Sequence, residues 1–313
     1  MSERILIATS RGVSSSGLLI KTCYCNRDFT VAEVTDIITQ LRKKEDIREE
    51  QQYQGKDPIY ITGAGIKVIK LGKEYFTLDK KTKITDIKGI QRYRLEKSKF
   101  DDLGTTIFQS KKIEKIQEKD ANLNTFTKEL NKTLNEYLIN TCIRKIHFLA
   151  QIYVESGRFV DTYEGLVTVP SNYQGGVDFQ GRGLKQITHD MNYLEYYDKK
   201  NGTTLFNDKY RYKHKRDEGL TTYINRVKKN GFPEGFLDTL KVFAKKLSTE
   251  LSYACDSSGW FWNTREINKL ADTDNVVEVT KKINGGDNGL ASRKKYTSDL
   301  KIIFDYEKCV NKK

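Results

Sequence analysis

The spacing of apolar residues falls into two regimes, short extended runs before about residue 120 and longer helical stripes after it. Residues 5–8 and 17–22 are apolar runs of strand length, separated by a Ser/Gly-rich turn at 14–17. Val31, Val34, Ile37, Ile38 and Leu41 then repeat at helical spacing, and Thr30 is placed to cap that helix. The charged run 42–50 is expected to end it in solvent. Strands are expected at 59–62, 66–70 and 75–78, with turns at 63–65 and 71–74. From Thr125 the period becomes helical. Leu130, Leu134 and Leu138 form one stripe, and Ile143, Ile146, Leu149, Ala150 and Val154 form another that runs straight to Glu155. Further helices are expected over 191–200, 237–257, 275–283 and 292–304, with Pro170 and Pro233 in loops.

The polar stretch 111–122 marks the expected boundary. It separates a small α/β N-terminal module or linker region over 1–120, of unassigned function, from a mainly α domain over 121–313. A fragment starting at residue 121 is therefore expected to fold alone.

Composition narrows the class. At 37% hydrophobic residues the chain can bury a core, which excludes a disordered polymer. The first residues lack the long apolar run of a secretory signal, and no later stretch approaches a membrane span. Synthesis in the cytoplasm without a Sec signal and no membrane insertion are the expectations. A net charge of +13 points to a polyanionic partner or to a solvated lysine-rich surface. Nucleic acid and a bacterial wall with anionic polymers both answer to that charge. The five cysteines suggest no disulfide framework, and Cys142 reads as a buried small hydrophobe. Cys23 and Cys25 offer half a metal site, but no second Cys/His pair follows at zinc-ligand spacing. No metal and no cofactor are expected.

Two carboxylates carry the candidate chemistry. Glu155 and Glu164 lie nine residues apart, one closing a helix and one in the loop after it, and Gly181-Arg-Gly-Leu-Lys-Gln-Ile-Thr188 follows. Such a pair suits acid-catalysed hydrolysis of a glycosidic bond, in which one acid protonates the leaving oxygen and the other activates water. A helix C-terminus and partial burial against Tyr153 and Phe159 favour the protonated form of Glu155. Water reaching Glu164 keeps it ionised. On spacing alone, two surface glutamates in a chain with 42 acidic residues remain the simpler reading.

The downstream motifs change that balance. Residues 147–159, Phe179-Gln-Gly-Arg-Gly-Leu-Lys-Gln-Ile-Thr188 through Tyr193, Ser258-Gly-Trp-Phe-Trp262, and Ile283-Asn-Gly-Gly-Asp-Asn-Gly-Leu290 through Arg293 occur in this order. Together they resemble the family 19 glycoside hydrolases, chitinases and the related phage and bacterial lysozymes, over residues 125–310. The resemblance implies a two-lobed, lysozyme-like, mainly α catalytic domain. It implies Glu155 as general acid, Glu164 as second carboxylate and Thr188 as the hydroxyl that helps hold water. Gln186, Asn192, Tyr193 and Asn284 fall on sugar-binding positions, and Arg293 on a basic residue beside the carboxylates. For Arg182 an architectural role below the cleft is preferred, and most of Trp260, Phe261 and Trp262 read as core. His147 reads as a packed histidine, whereas His189, beside Thr188, stays open.

The cysteines of the plant enzymes, and their acidic-cysteine segment after Asn-Gly-Gly, are missing, which favours a wall-lytic relative. Residues 201–236 look like an insertion whose basic core, 209–216, is either a rim for anionic wall polymer or a solvated loop. Residues 23–30 resemble a segment found in hydrolases of bacterial secreted toxins. The expected function is peptidoglycan cleavage of the muramidase type with inversion, as an endolysin or antibacterial effector acting at the bacterial wall. Its partners would be a peptidoglycan or chitin-like glycan, a secretion apparatus and an immunity protein, with no nucleic acid. A chitinase and a catalytically inactive wall-binding module are the alternatives.

Overall fold

The computed structural model describes residues 23–45, 59–92, 103–166, 176–206 and 233–311. The strands expected at 5–8 and 17–22, the turn at 14–17, residues 46–50 of the charged run, Pro170 and the basic stretch 209–216 lie outside the described residues.

Helix α1 (Val31–Lys43) starts where Thr30 predicts it. The Thr30 hydroxyl accepts from the Glu33 amide at 3.2 Å, and the Glu33 carboxylate accepts from the Thr30 amide at 2.8 Å. That reciprocal cap satisfies two amides the helix itself cannot pair. Strands β1 (Ile59–Ile61), β2 (Lys67–Leu71), β3 (Glu74–Thr77), β4 (Lys83–Ile84) and β5 (Gln91–Arg92) form an antiparallel sheet in the order β4-β3-β2-β1-β5. The three longer strands fall within a residue or so of their expected positions. Only their short partners were not legible.

The remaining helices are α2 (Leu123–Glu136), α3 (Cys142–Glu155), α4 (Asp190–Asn201), α5 (Phe236–Thr249), α6 (Leu251–Thr264), α7 (Ile267–Asp272), α8 (Val276–Asn284), α9 (Leu290–Ile303) and α10 (Tyr306–Val310). The described chain is thus mostly helical with one small antiparallel sheet. No described helix is long and apolar enough to cross a membrane.

Helix α3 organises the body. From Cys142 to Tyr153 every residue except Arg144 is buried, because α7, α8, α9 and α10 all pack on it. Asn122 and Thr141 cap α2 and α3 by accepting from Thr125 and Arg144 amides at 2.9 and 3.3 Å. Helix α2 crosses α6 at Gly259, where any Cβ would collide with the Tyr137 ring and the Thr133 methyl.

Three expectations need correction. The helix expected over 237–257 is two helices, α5 and α6, broken at Glu250, whose backbone is extended (φ −117°, ψ 118°). The break lets α6 leave the amphipathic course of α5 and run through the core, buried at every position from Ala254 to Trp262. Leu138 does not continue the α2 stripe; it follows the helix end with φ 54° and is 62% exposed.

The third correction concerns the domain boundary. Helix α1 packs on α2 and α9, and Tyr24, Phe29, Ile38, Leu41, Ile107, Phe108 and Ile116 belong to the same buried cluster as α3 and α6. Nor does the charged run begin in solvent. Arg42, 2% exposed, donates to the carbonyls of Gly104 and Thr106 at 2.7 Å each and of Arg158 at 3.1 Å. Glu45, also buried, receives the Tyr296 hydroxyl. The sheet is different, since its buried residues Ile59, Val68 and Ile69 lie outside that cluster. The expected α/β module is therefore split, its helix built into the helical core.

A fragment of residues 121–313 should accordingly fail to give the full-length chain's cooperative melt. It lacks α1, and the faces of α2 and α9 that α1 covers become exposed apolar surface. Circular dichroism melting and gel filtration check this. A monomeric fragment melting at the full-length temperature would show the N-terminal half to be dispensable.

Candidate active site

The C-terminal end of α3 presents Gln151 and Glu155 on one face, a helical turn apart. Arg293, from the first turn of α9, spans both. One guanidinium nitrogen donates to Glu155 Oε1 at 2.6 Å, the other donates to Gln151 Oε1, and Nε donates to the Asn288 carbonyl at 3.3 Å. Arg293 is 3% exposed and stands beside Glu155, where the resemblance places a basic residue, but it does not line the cleft and so is not a sugar-binding residue. It positions Glu155 instead. Nor does Glu155 face the helix-end carbonyls alone, as the sequence argument assumed.

The chain after Glu155 turns sharply. Gly157, Arg158 and Phe159 have φ of 56°, 69° and 59°, a left-handed run that costs energy at the two non-glycine positions. Three contacts hold it there. The Ser156 hydroxyl accepts from the Phe159 amide at 3.1 Å, the Phe159 carbonyl accepts from the Phe108 amide at 2.7 Å, and the Phe159 ring packs against Phe126 and Tyr153.

Glu164 is fixed by pairing with the glycine-arginine turn. Its amide donates to the Gly181 carbonyl at 2.8 Å, and the Gly181 amide donates to Glu164 Oε2 at 3.0 Å. A glycine at 181 leaves room for this arrangement, because a Cβ would stand 2.8 Å from Gln186 Oε1 and 3.2 Å from Glu164 Oε2 and push both aside. Below this turn Arg182 is 2% exposed and grips Glu114 through two bonds of 2.7 and 2.8 Å, while also donating to the Asp178 carbonyl at 2.8 Å. Burial alone would raise the Glu114 carboxyl, but hydrogen bonds from Arg182 and Ser248 outweigh it, and the group ends below the usual carboxylate range. Arg182 is architectural, as the sequence suggested.

These two constructions open on one cleft of about 610 Å³. Among its lining residues are Glu155, Glu164, Gln186, Thr188, Asn192 and Asn284. Asn192 Nδ2 donates to the Thr188 carbonyl at 2.7 Å and its Oδ1 accepts from Arg265 at 3.1 Å. Asn284 braces the turn before α9, donating to the Asn288 carbonyl and accepting from the Gly286 amide. Gln186 Nε2 donates to the Gly183 carbonyl at 2.9 Å, whereas its Oε1 is buried with no hydrogen-bond partner among the described residues.

Tyr193 does not belong to the cleft. It is fully buried, its hydroxyl donating to the Gln180 carbonyl at 2.6 Å and its ring packed on Phe179. The residue one step from a cleft asparagine on α4 points the other way, which linear sequence did not separate. Trp260 and Trp262 are core, and Phe261 alone of the three reaches the cleft wall. His147 is buried against Asp274 at 2.9 Å, and burial holds its imidazole below the usual histidine range. His189 lines the cleft.

The sequence argument missed Lys185 and Arg265. Lys185 Nζ lies 4.3 Å from the Phe261 ring centre, and Arg265 stacks on the same ring at 3.6 Å. Burial is the main cause that lowers the Lys185 ammonium to about 8; the charge of Glu155 opposes it, and those of Arg293 and Arg265 add to it. Lys185 stands inside the Gly-Arg-Gly-Leu-Lys-Gln motif, a signal of place but not of role.

Because the folded-state value lies below the unfolded one, charged Lys185 destabilises the fold fully below about pH 8, and that penalty fades as pH rises toward 10.5. Lys185→Met should therefore stabilise the chain near neutral pH, by up to about 3 kcal/mol, with the gain vanishing above about pH 10. Urea denaturation of both proteins across that range measures it. A gain that does not change with pH would remove the buried charge as its cause.

Comparison by sequence finds no matching family model and no matching curated protein. Among solved structures, the crystal structure of a chitinase C mutant with glutamate replaced by glutamine is similar at a TM-score of 0.37 and 16% identity, over 80% of this chain and 94% of that one. A likeness of that size carries no argument for activity, and the functional reading rests on the cleft itself.

Proposed function

We propose that the chain is a glycoside hydrolase of two-lobed, lysozyme-like architecture that cleaves β-1,4 bonds beside N-acetylated sugars, with peptidoglycan as substrate. The observation that carries this reading is that Glu155 and Glu164, from a helix end and a separate paired turn, line a single cleft with Thr188. Glu155 would protonate the leaving oxygen while Glu164 takes a proton from the attacking water, giving inversion. The Thr188 hydroxyl both donates and accepts, so it can orient that water.

Lys112, Arg265 and Lys282 also line the cleft. Cations there suit a glycan whose peptide stems carry carboxylates, which a chitin chain lacks. A wall-lytic role implies delivery by a secretion apparatus or by lysis, and an immunity partner if the producer shares the target. A module that only binds walls has no use for two braced carboxylates.

Assays on purified peptidoglycan and on chitin oligomers, with mass analysis of the released ends, separate the two substrates. Release of muropeptides supports the reading, and turnover of chitin alone replaces it. Glu155→Gln should lower turnover by about 10²–10⁴-fold without loss of fold. Glu164→Gln should be nearly as severe and Thr188→Ala milder. Near wild-type turnover in Glu155→Gln would remove this residue from the mechanism.

Gly181→Ala offers a second check. Its Cβ meets side chains and no backbone, the Gln186 Oε1 and Cβ and the Glu164 Oε2, so the fold should survive while both residues are displaced. Turnover should fall at least about 10-fold with the melting temperature almost unchanged. Unimpaired turnover would mean that the position of Glu164 is not critical.

A further inference from the structure

At the opposite end of α3 from Glu155, four cysteines from distant parts of the chain converge. Cys23 and Cys25 come from the segment before α1, Cys142 is the first residue of α3, and Cys309 lies on α10. Their four sulfurs all lie within 4.8 Å of one another. Cys142 is 3.4 Å from Cys23 and 3.2 Å from Cys309, and Cys25 is 3.6 Å from Cys309. The sequence argument dismissed a metal because no second pair stands at ligand spacing. The fold supplies the second pair from positions 117 and 284 residues beyond Cys25.

We infer that these four cysteines bind one zinc ion as a closed, structural tetrathiolate site. Zinc–sulfur bonds of about 2.3 Å in a tetrahedron place the sulfurs about 3.8 Å apart, near the Cys23–Cys142, Cys142–Cys309 and Cys25–Cys309 separations; Cys23 and Cys309 stand in closer, disulfide-like contact and would have to part to hold the ion. Four soft ligands in that shape select zinc over hard cations, and four protein ligands leave no position for substrate or water. Binding releases the thiol protons to solvent and leaves two net negative charges, so the surroundings matter.

They are suited to anionic sulfur. The Cys142 amide, at the head of α3, donates to Cys25 Sγ at 3.1 Å, and the Cys25 amide points at Cys23 Sγ at 3.5 Å. Lys145, one turn into α3 and 2% exposed, donates to the Tyr24 and Arg27 carbonyls at 2.8 and 2.6 Å. Its ammonium both pins the Cys23–Cys25 loop and brings positive charge beneath it. A Cys23–Cys309 disulfide, whose Cα–Cα separation of 5.4 Å the fold permits, would use only two of the four sulfurs and leave Cys25 and Cys142 pressed together as thiols. The site lies about 20 Å along α3 from Glu155, so it staples the chain and takes no part in the cleft chemistry.

The test uses the full-length chain, purified under reducing conditions. Metal analysis should find one zinc per chain, retained in Cys255→Ser, a buried cysteine outside the cluster. Cys25→Ser and Cys142→Ser should weaken zinc binding by at least about 10²-fold. Should those variants fail to fold, the wild-type chain reloaded with cobalt reads the ligand set directly through the absorption of a tetrahedral tetrathiolate ion. Chelation should also lower the melting temperature. The proposal is overturned if the folded wild-type chain neither contains zinc nor takes up cobalt with that spectrum, or if Cys255→Ser loses metal as readily as Cys142→Ser. A Cys23–Cys309 disulfide mapped in the protein as purified under reducing conditions, before any chelation, would equally overturn it.

Discussion

Nearly every side chain of α3 is removed from solvent, and the rest of the described body is arranged to make that tolerable. A helix buried along its length has satisfied backbone in its middle and unsatisfied groups only at its ends. Both ends of α3 are therefore where polar chemistry collects. At the first end Thr141 caps the helix and Cys142 heads the sulfur cluster; at the last, Ser156 bonds the Ile152 carbonyl and Arg293 meets Gln151 and Glu155. The buried helix thus joins a proposed staple to a proposed catalytic acid as one rigid rod.

The cleft owes its shape to two buried arginines in different parts of the chain. Arg293 ties Glu155 to α9, and Arg182 ties the turn that carries Glu164 to Glu114. Each guanidinium is nearly inaccessible and bonded to a carboxylate that is itself mostly covered. Such pairs are geometrically demanding and stabilise less than their Coulomb attraction suggests, because desolvation opposes it. Their effect is on position. They fix two carboxylates from separate elements on one cavity, which hydrophobic contacts of equal area would do less strictly.

The N-terminal segment belongs to this machinery more than to any module of its own. Arg42 bonds the Arg158 carbonyl within the left-handed turn after Glu155, and Phe108 closes on Phe159 in the same turn. A strained backbone persists only where its surroundings over-determine it, and here residues before 120 supply part of that restraint. The buried residues of the sheet, by contrast, stand outside the main cluster.

Local physics was readable from the sequence. The Thr30 cap, the three longer strands, the apolar stripe into Glu155 and the glycine-arginine turn all follow from neighbours a few residues apart, and the structure places them about where periodicity put them. Six of the eight proposed site residues line one cleft, because residue type and motif order carried that information. Tyr193 and Arg293 are exceptions because which face of a helix a residue occupies depends on what packs there. The break at Glu250, the burial of Arg42 and the reach of α1 into the helical core were decided by tertiary contacts that no local pattern encodes. The sulfur cluster is the plainest case. Cys23, Cys25, Cys142 and Cys309 are unremarkable in linear order, and only folding, by closing loops of more than a hundred residues, brings four thiols to one point.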